Sequence, residues 1–265
     1  MIQFNFNRFG KLAKWSLIND RSYYVRSFLQ VLVILTLIFL GFTTQFFTFK
    51  ISGETRAYEP CASIALIIFF VDLIIGPSLM FQSMKSKHDR QTLLMLPASN
   101  FEKYIMRYST WILLIPLYVL AFFGADLIQY LVNVIGGNEQ VMFVTAKMIE
   151  KLGDMEHKAS AYPRNEMIII YLLLFWAHSA YALGATFFRS HKYSAIFTTV
   201  AIIVIGMLHN ILVPSLGHEM EDGSVVFSAS DKIFLVIYGI WALVNFWLSY
   251  RLFCRNQVIG KFVNL

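Results

Sequence analysis

Charge is what this chain has least of. Only 14% of its 265 residues are Asp, Glu, Lys or Arg, 57% are hydrophobic, and the mean hydropathy is +0.60. A soluble domain carries about a quarter charged residues, so an ordinary soluble globular domain is excluded. Cysteine is nearly absent too. Cys61 and Cys254 provide no disulfide framework. In the topology derived below they lie on opposite faces, a hydrocarbon core of ~30 Å apart, whereas a disulfide needs Cα atoms within about 7 Å. No G-x-x-x-x-G-K-[ST] loop is present to cradle phosphates, since Gly260-Lys261 is followed by Phe262. His218-Glu219-Met220-Glu221-Asp222 puts an aspartate where a zinc protease needs its second histidine. Neither Asp72 nor Asp126 sits in a Gly-x-Gly-Asp context. The chain thus reads as no enzyme, with no metal site and no cofactor of its own. Internal repeats, low-complexity tracts and a linker to a soluble domain are also missing.

What is abundant comes in blocks. Uncharged or nearly uncharged windows of about 20 residues, the length of a bilayer crossing, cover about 27–49, 61–84, 108–131, 167–188, 193–212 and 233–250. Lipid offers no hydrogen bonds to a bare backbone, so runs this long and apolar are helices. The expected fold is an all-α integral membrane protein: residues 1–26 as an N-terminal segment, 27–265 as a six-helix transmembrane domain. The first apolar run is too long for a signal-peptide core and no small-residue cleavage site follows it, so a removable leader is not expected.

Positive charge sets the orientation. Arg8, Lys11, Lys14, Arg21 and Arg26 precede the first window, and Lys85, Lys87, Arg90, Lys103 and Arg107 lie between the second and third. Arg189 and Lys192 separate the fourth from the fifth, and Arg251, Arg255 and Lys261 follow the sixth. These make 15 on one side, against seven on the other (Lys50, Arg56, Lys147, Lys151, Lys158, Arg164, Lys232). Both termini are therefore expected in the cytoplasm. The net charge of +6 is then topology rather than a nucleic-acid surface.

Four pieces lie outside the windows. Residues 4–20 read as a helix lying on the membrane, with Phe9, Leu12, Ala13, Ser16 and Leu17 on one arc and Arg8, Lys11 and Lys14 opposite; the plainer alternative is an ordinary basic flank. Gly136-Gly137 ends the third window, and Glu139–Leu152 reads as a short helix with Val141, Val144, Met148 and Leu152 on one face. The stretch GHEMEDGSVVFSASDK is acidic, then β-prone, with a turn at Asp222-Gly223. These two outer segments either cap an exit path or act as spacers.

The fourth piece, KSKHDRQTLLMLPASNFEKYIMRY, is basic, then apolar, then broken by Pro97, which disfavours helix at Leu96. Ser99-Asn100-Phe101-Glu102 fits a capping box, with the hydroxyl on an early N–H and the glutamate reaching back. The stretch therefore reads as short helix, turn, helix. Leu93, Leu94 and Met95 either fill a partner's groove or lie on lipid. Inside the windows, Asp72 stands mid-membrane at an insertion cost of about 2.5–3.5 kcal/mol, so it should face the bundle or a wet cavity. His178 is mid-window too, and an Asp72–His178 pair would make a proton or substrate site. Pro77 and Pro116 are expected to kink their helices.

RQTLLMLPASNFEKYIMRY resembles the loop between helices 2 and 3 in a group of bacterial membrane proteins related to ABC-2-type transporter permeases. Arg90, Met95, Leu96, Pro97, Ala98, Ser99, Asn100, Glu102 and Lys103 carry the likeness, and FNRFGKLAKWSLIND is similar to that group's start. The resemblance implies a permease subunit, paired with a second copy or a sister subunit. An ATP-binding cassette ATPase holding ATP and Mg would dock on the loop through Arg90, Leu93, Leu94, Met95, Pro97, Ser99, Asn100, Glu102 and Lys103. Such permeases usually carry re-entrant helices between spans 5 and 6. This chain instead has its longest outer loop between spans 3 and 4. The reading independent of that resemblance is an ion- or proton-coupled carrier using Asp72, or a membrane sensor or scaffold.

Overall fold

A computed structural model describes residues 4–44, 58–84, 87–138, 141–160, 164–188, 193–212, 218–219, 225–226 and 229–255. Nine α-helices are described: α1 (Phe6–Asn19), α2 (Arg21–Thr43), α3 (Tyr58–Ile75), α4 (Lys87–Met95), α5 (Asn100–Ile135), α6 (Val144–Ser160), α7 (Arg164–Phe187), α8 (Ser194–Leu212) and α9 (Ala229–Cys254). The strands described are two residues each, β1 (His218–Glu219) and β2 (Val225–Val226), antiparallel with His218 opposite Val226. The expected turn at Asp222-Gly223 lies outside the described residues, as do Lys85, Arg189, Lys192 and Lys261.

Five helical stretches are long and apolar enough to cross a membrane: Arg21–Thr43, Tyr58–Leu79, Asn100–Ile135, Ile170–Phe187 and Val236–Cys254. The fifth expected window does form a helix, α8, but its described apolar part, Ser194–Leu208, is shorter than a crossing. No more than 39% of any of the five apolar stretches is buried by protein. The rest of that apolar surface requires lipid or another subunit to cover it.

The chain divides into two compact units. The first comprises residues 1–18, 73–111 and 162–265; the second comprises 19–72 and 112–161. In the first unit α7 packs on α9 and α8. Small and hydroxyl side chains let these backbones approach. Ser249 Oγ donates to the Ala182 carbonyl (2.9 Å) and accepts from Tyr104 Oη (3.0 Å), and Asn245 Nδ2 donates to Ser179 Oγ (3.0 Å). A Cβ added at Gly184 would collide with Thr198 Oγ1, so only glycine permits this approach of α7 to α8. Leu12, Met80, Met84, Leu93, Tyr104 and Phe253 form a separate core with α1.

In the second unit α2, α3, α5 and α6 enclose Leu35, Phe39, Tyr58, Cys61, Ala65, Ala125 and Val144. Helix α5 ends as expected at Gly136-Gly137. Gly137 has φ +75°, and the bonds Gly137 N to Val134 O (3.2 Å) and Asn138 N to Asn133 O (3.1 Å) make a Schellman ending.

Several expected boundaries move. The second window was expected to stay helical to Met84. Instead α3 stops at Ile75, and Gly76–Leu79 form a 3-10 turn with Pro77 at its start, because proline withholds an N–H and suits a first turn. Pro116 lies inside α5. The outer helix runs over Val144–Ser160 rather than Glu139–Leu152, and the reason lies in Asp126.

Candidate functional site

The first unit builds its node around one carboxylate. Ser99 caps α5: its carbonyl accepts from Lys103 N (3.0 Å) and its Oγ accepts from Glu102 N (3.2 Å). Glu102 Oε2 reaches back to accept from Ser99 N (2.8 Å), which completes the capping box. The same carboxylate also receives α1. Arg8 donates Nε to Oε2 (2.8 Å) and Nη2 to Oε1 (2.7 Å), and Asn5 N donates to Oε1 (2.8 Å). Every lone-pair direction of Glu102 is thus occupied, and its side chain is fully buried. Asn5 Oδ1 accepts from Asn7 N and Arg8 N and so caps α1 itself. The hydrogen bond to Glu102 raises the Arg8 pKa above an already high value. Arg107, fully buried, donates to Ser83 Oγ (2.8 Å) and Ser16 Oγ (3.2 Å).

This node sorts the expected docking residues, and with them Phe101, which was not among them, into two sets. Leu93 is in the core, Lys103 is buried with Nζ donating to the Leu94 carbonyl (2.8 Å), and Glu102 and Ser99 are spent on the cap and α1. Leu94 (38% exposed), Met95 (85%), Pro97, Asn100 and Phe101 face outward. The side chain of Arg90 lies outside the described residues. On α1 the buried face is Phe9, Leu12, Trp15 and Ser16, while Leu17 and Ile18 are exposed. Arg8, expected on the outer basic face, instead turns in to Glu102.

His178 belongs to the same unit. Its Nδ1 lies 2.8 Å from the Leu73 carbonyl, which can only accept, so Nδ1 carries the proton. In the neutral ring, Nε2 then accepts from Tyr108 Oη at 2.6 Å. Trp111 and Phe246 pack on the ring. Both nitrogens are engaged, which leaves neither for the expected pairing with Asp72.

Asp72 belongs to the second unit and opens onto a cavity of about 400 Å³. Its walls are apolar and aromatic, among them Phe69, Tyr118, Phe122 and Phe123, with Thr145, Met148, Ile149 and Leu152 of α6 on one side. Asp126 holds that helix in place. Its carboxylate accepts from Val144 N (2.8 Å), Thr145 N (2.9 Å) and the Thr145 hydroxyl, and is itself braced by Gln129 Nε2 (2.9 Å). A negative charge delivered from a neighbouring helix thus meets the positive end of α6, and α6 begins where those N–H groups point. Gln129 also donates to the Met142 carbonyl (3.0 Å), and Asn133 Nδ2 to Thr43 Oγ1 (2.8 Å).

Sequence reasoning placed Asp126 in a helix but not at the start of another. It missed Gln129, Asn133, Asn5, Arg107 and Tyr118. The 126, 129, 133 spacing puts three polar side chains on one helical face, a signal that was present.

No protein-family model, curated protein or solved structure matches this chain. The likeness to ABC-2-type permeases therefore stands on the residues that carry it.

Proposed function

We propose that the chain is the membrane subunit of an ATP-binding cassette transporter, an exporter driven by a separate ATPase that docks on residues 85–107. The observation that carries this reading is the build of that stretch. Its inward side chains are locked by Glu102 and Lys103, while Leu94, Met95 and Phe101 stay on the surface. A docking element has to transmit force, and a stretch with its caps satisfied on both sides of Pro97 is stiff enough to do so. Six crossings, with α8 among them, follow from the apolar windows, and cytoplasmic termini from the charge count. ATP and Mg are held by the partner, and a second copy or sister subunit completes the pathway. Alternating access or lateral extrusion is the mechanism.

A carrier that works without an ATPase is the second reading. It is favoured by one observation, the carboxylate of Asp72 in an apolar cavity.

Met95→Glu is the informative substitution, because Leu93→Glu would put a charge into the core and Lys103→Glu would break the cap on α4. From native membranes in mild detergent, the wild type should bring down a protein with a phosphate-binding loop, and Met95→Glu should lose it. If the wild type brings down no ATPase, the transporter reading fails. Transport driven by a pH gradient alone would then establish the carrier.

A further inference from the structure

The Asp72 cavity has a composition that selects its occupant. It has drug-molecule dimensions, about 400 Å³. Among the described residues, Asp72 is the only charged one that lines it. Among the described residues nothing donates a hydrogen bond to its carboxylate. A half-buried carboxylate without a partner is costly at membrane depth, and a ligand that brings a positive charge removes that cost. A metal ion does not fit, since Mg or Ca would need several oxygen ligands and, beyond the Tyr118 hydroxyl and a Thr145 hydroxyl already bound to Asp126, the remaining wall is hydrocarbon. An anion meets like charge. A neutral molecule leaves the carboxylate as it was. Phe69, Tyr118, Phe122 and Phe123 line it, and aromatic rings attract a diffuse cation.

We propose that this cavity binds an amphiphilic monocation: an apolar or aromatic body carrying one diffuse positive charge opposite Asp72. As the substrate class of the exporter, this rests on the transport reading. As a binding site it stands alone, because binding requires no ATPase.

The experiment measures equilibrium binding of tetraphenylphosphonium to the full chain in detergent, beside tetraphenylborate, which has the same shape and the opposite charge. The phosphonium should bind saturably at one site per chain, and the borate should not. Asp72→Asn should weaken the phosphonium roughly tenfold or more. Equal binding of both ions, or an unchanged affinity in Asp72→Asn, would overturn the proposal and leave an apolar niche for acyl chains. Should Asp72→Asn not fold, Ile68→Trp keeps the carboxylate and fills the cavity, and undiminished binding in that variant overturns the proposal as well. Phosphonium binding by a chain that brings down no ATPase would end the exporter reading and keep the site. An ATPase partner without phosphonium binding would do the reverse.

Discussion

Glu102 closes a capping box through Oε2 and an ion pair through both oxygens, and the two roles can be separated. Gln at 102 keeps an acceptor for Ser99 but loses the bidentate pair with Arg8. Amide exchange in residues 5–19 should therefore quicken in Glu102→Gln while α5 stays protected. Arg8→Lys should resemble it, since an ammonium cannot reproduce the fork. The double variant should be no worse than either single one, because both remove the same contact. Additive losses would refute the shared role. Asp126 supports the second unit in a similar way. Asp126→Ala leaves the Val144 and Thr145 N–H groups without their cap and should cost about 2 kcal/mol, read as faster exchange over 144–147. Part of this was legible. Ser99 and Glu102 stand three apart before an apolar run, which is a local rule. Arg8 and Asn5 are more than 90 residues away, and no local rule could pair them with Glu102.

Among the helices, helical spacing located α1, and the uncharged windows located the apolar middles of α2, α5 and α9 but misjudged their ends. The expected second window overran because hydrophobicity continues through Gly76–Met84 while α-helical hydrogen bonding gives way to 3-10 and turn bonds. The expected outer helix began too early because its start is set by a carboxylate on α5. The close approach of α7 and α8 makes a prediction at this scale. Gly184→Ala should destabilise the chain by about 1–3 kcal/mol through overpacking. Adding Thr198→Ala should restore part of that loss, since the colliding Oγ1 and Cγ2 are removed. A melt in detergent of both variants and the pair measures it, and a pair as unstable as Gly184→Ala alone would refute the contact as the cause.

For the whole molecule, orientation is open to a direct test. Cys254 is exposed and Cys61 buried, and both thiols are free. A membrane-impermeant maleimide should label Cys254 in inside-out vesicles and not in intact spheroplasts, with Cys61→Ala leaving the result unchanged. Labelling from outside would reverse the proposed topology. By itself the sequence determined that this is a helical membrane protein, and it located each apolar run, because mean hydropathy and a helical repeat are properties of neighbours along the chain. It also picked out the capping box and Asp72. The tertiary structure alone decided that Leu93 and Lys103 turn inward while Met95 faces out, that His178 is satisfied by Leu73 and Tyr108, and that Asp72 meets an aromatic cavity walled by α6. Each of those depends on which distant side chain arrives within hydrogen-bond or packing distance. Such contacts extend over only a few ångströms in space, and separation along the chain does not predict them.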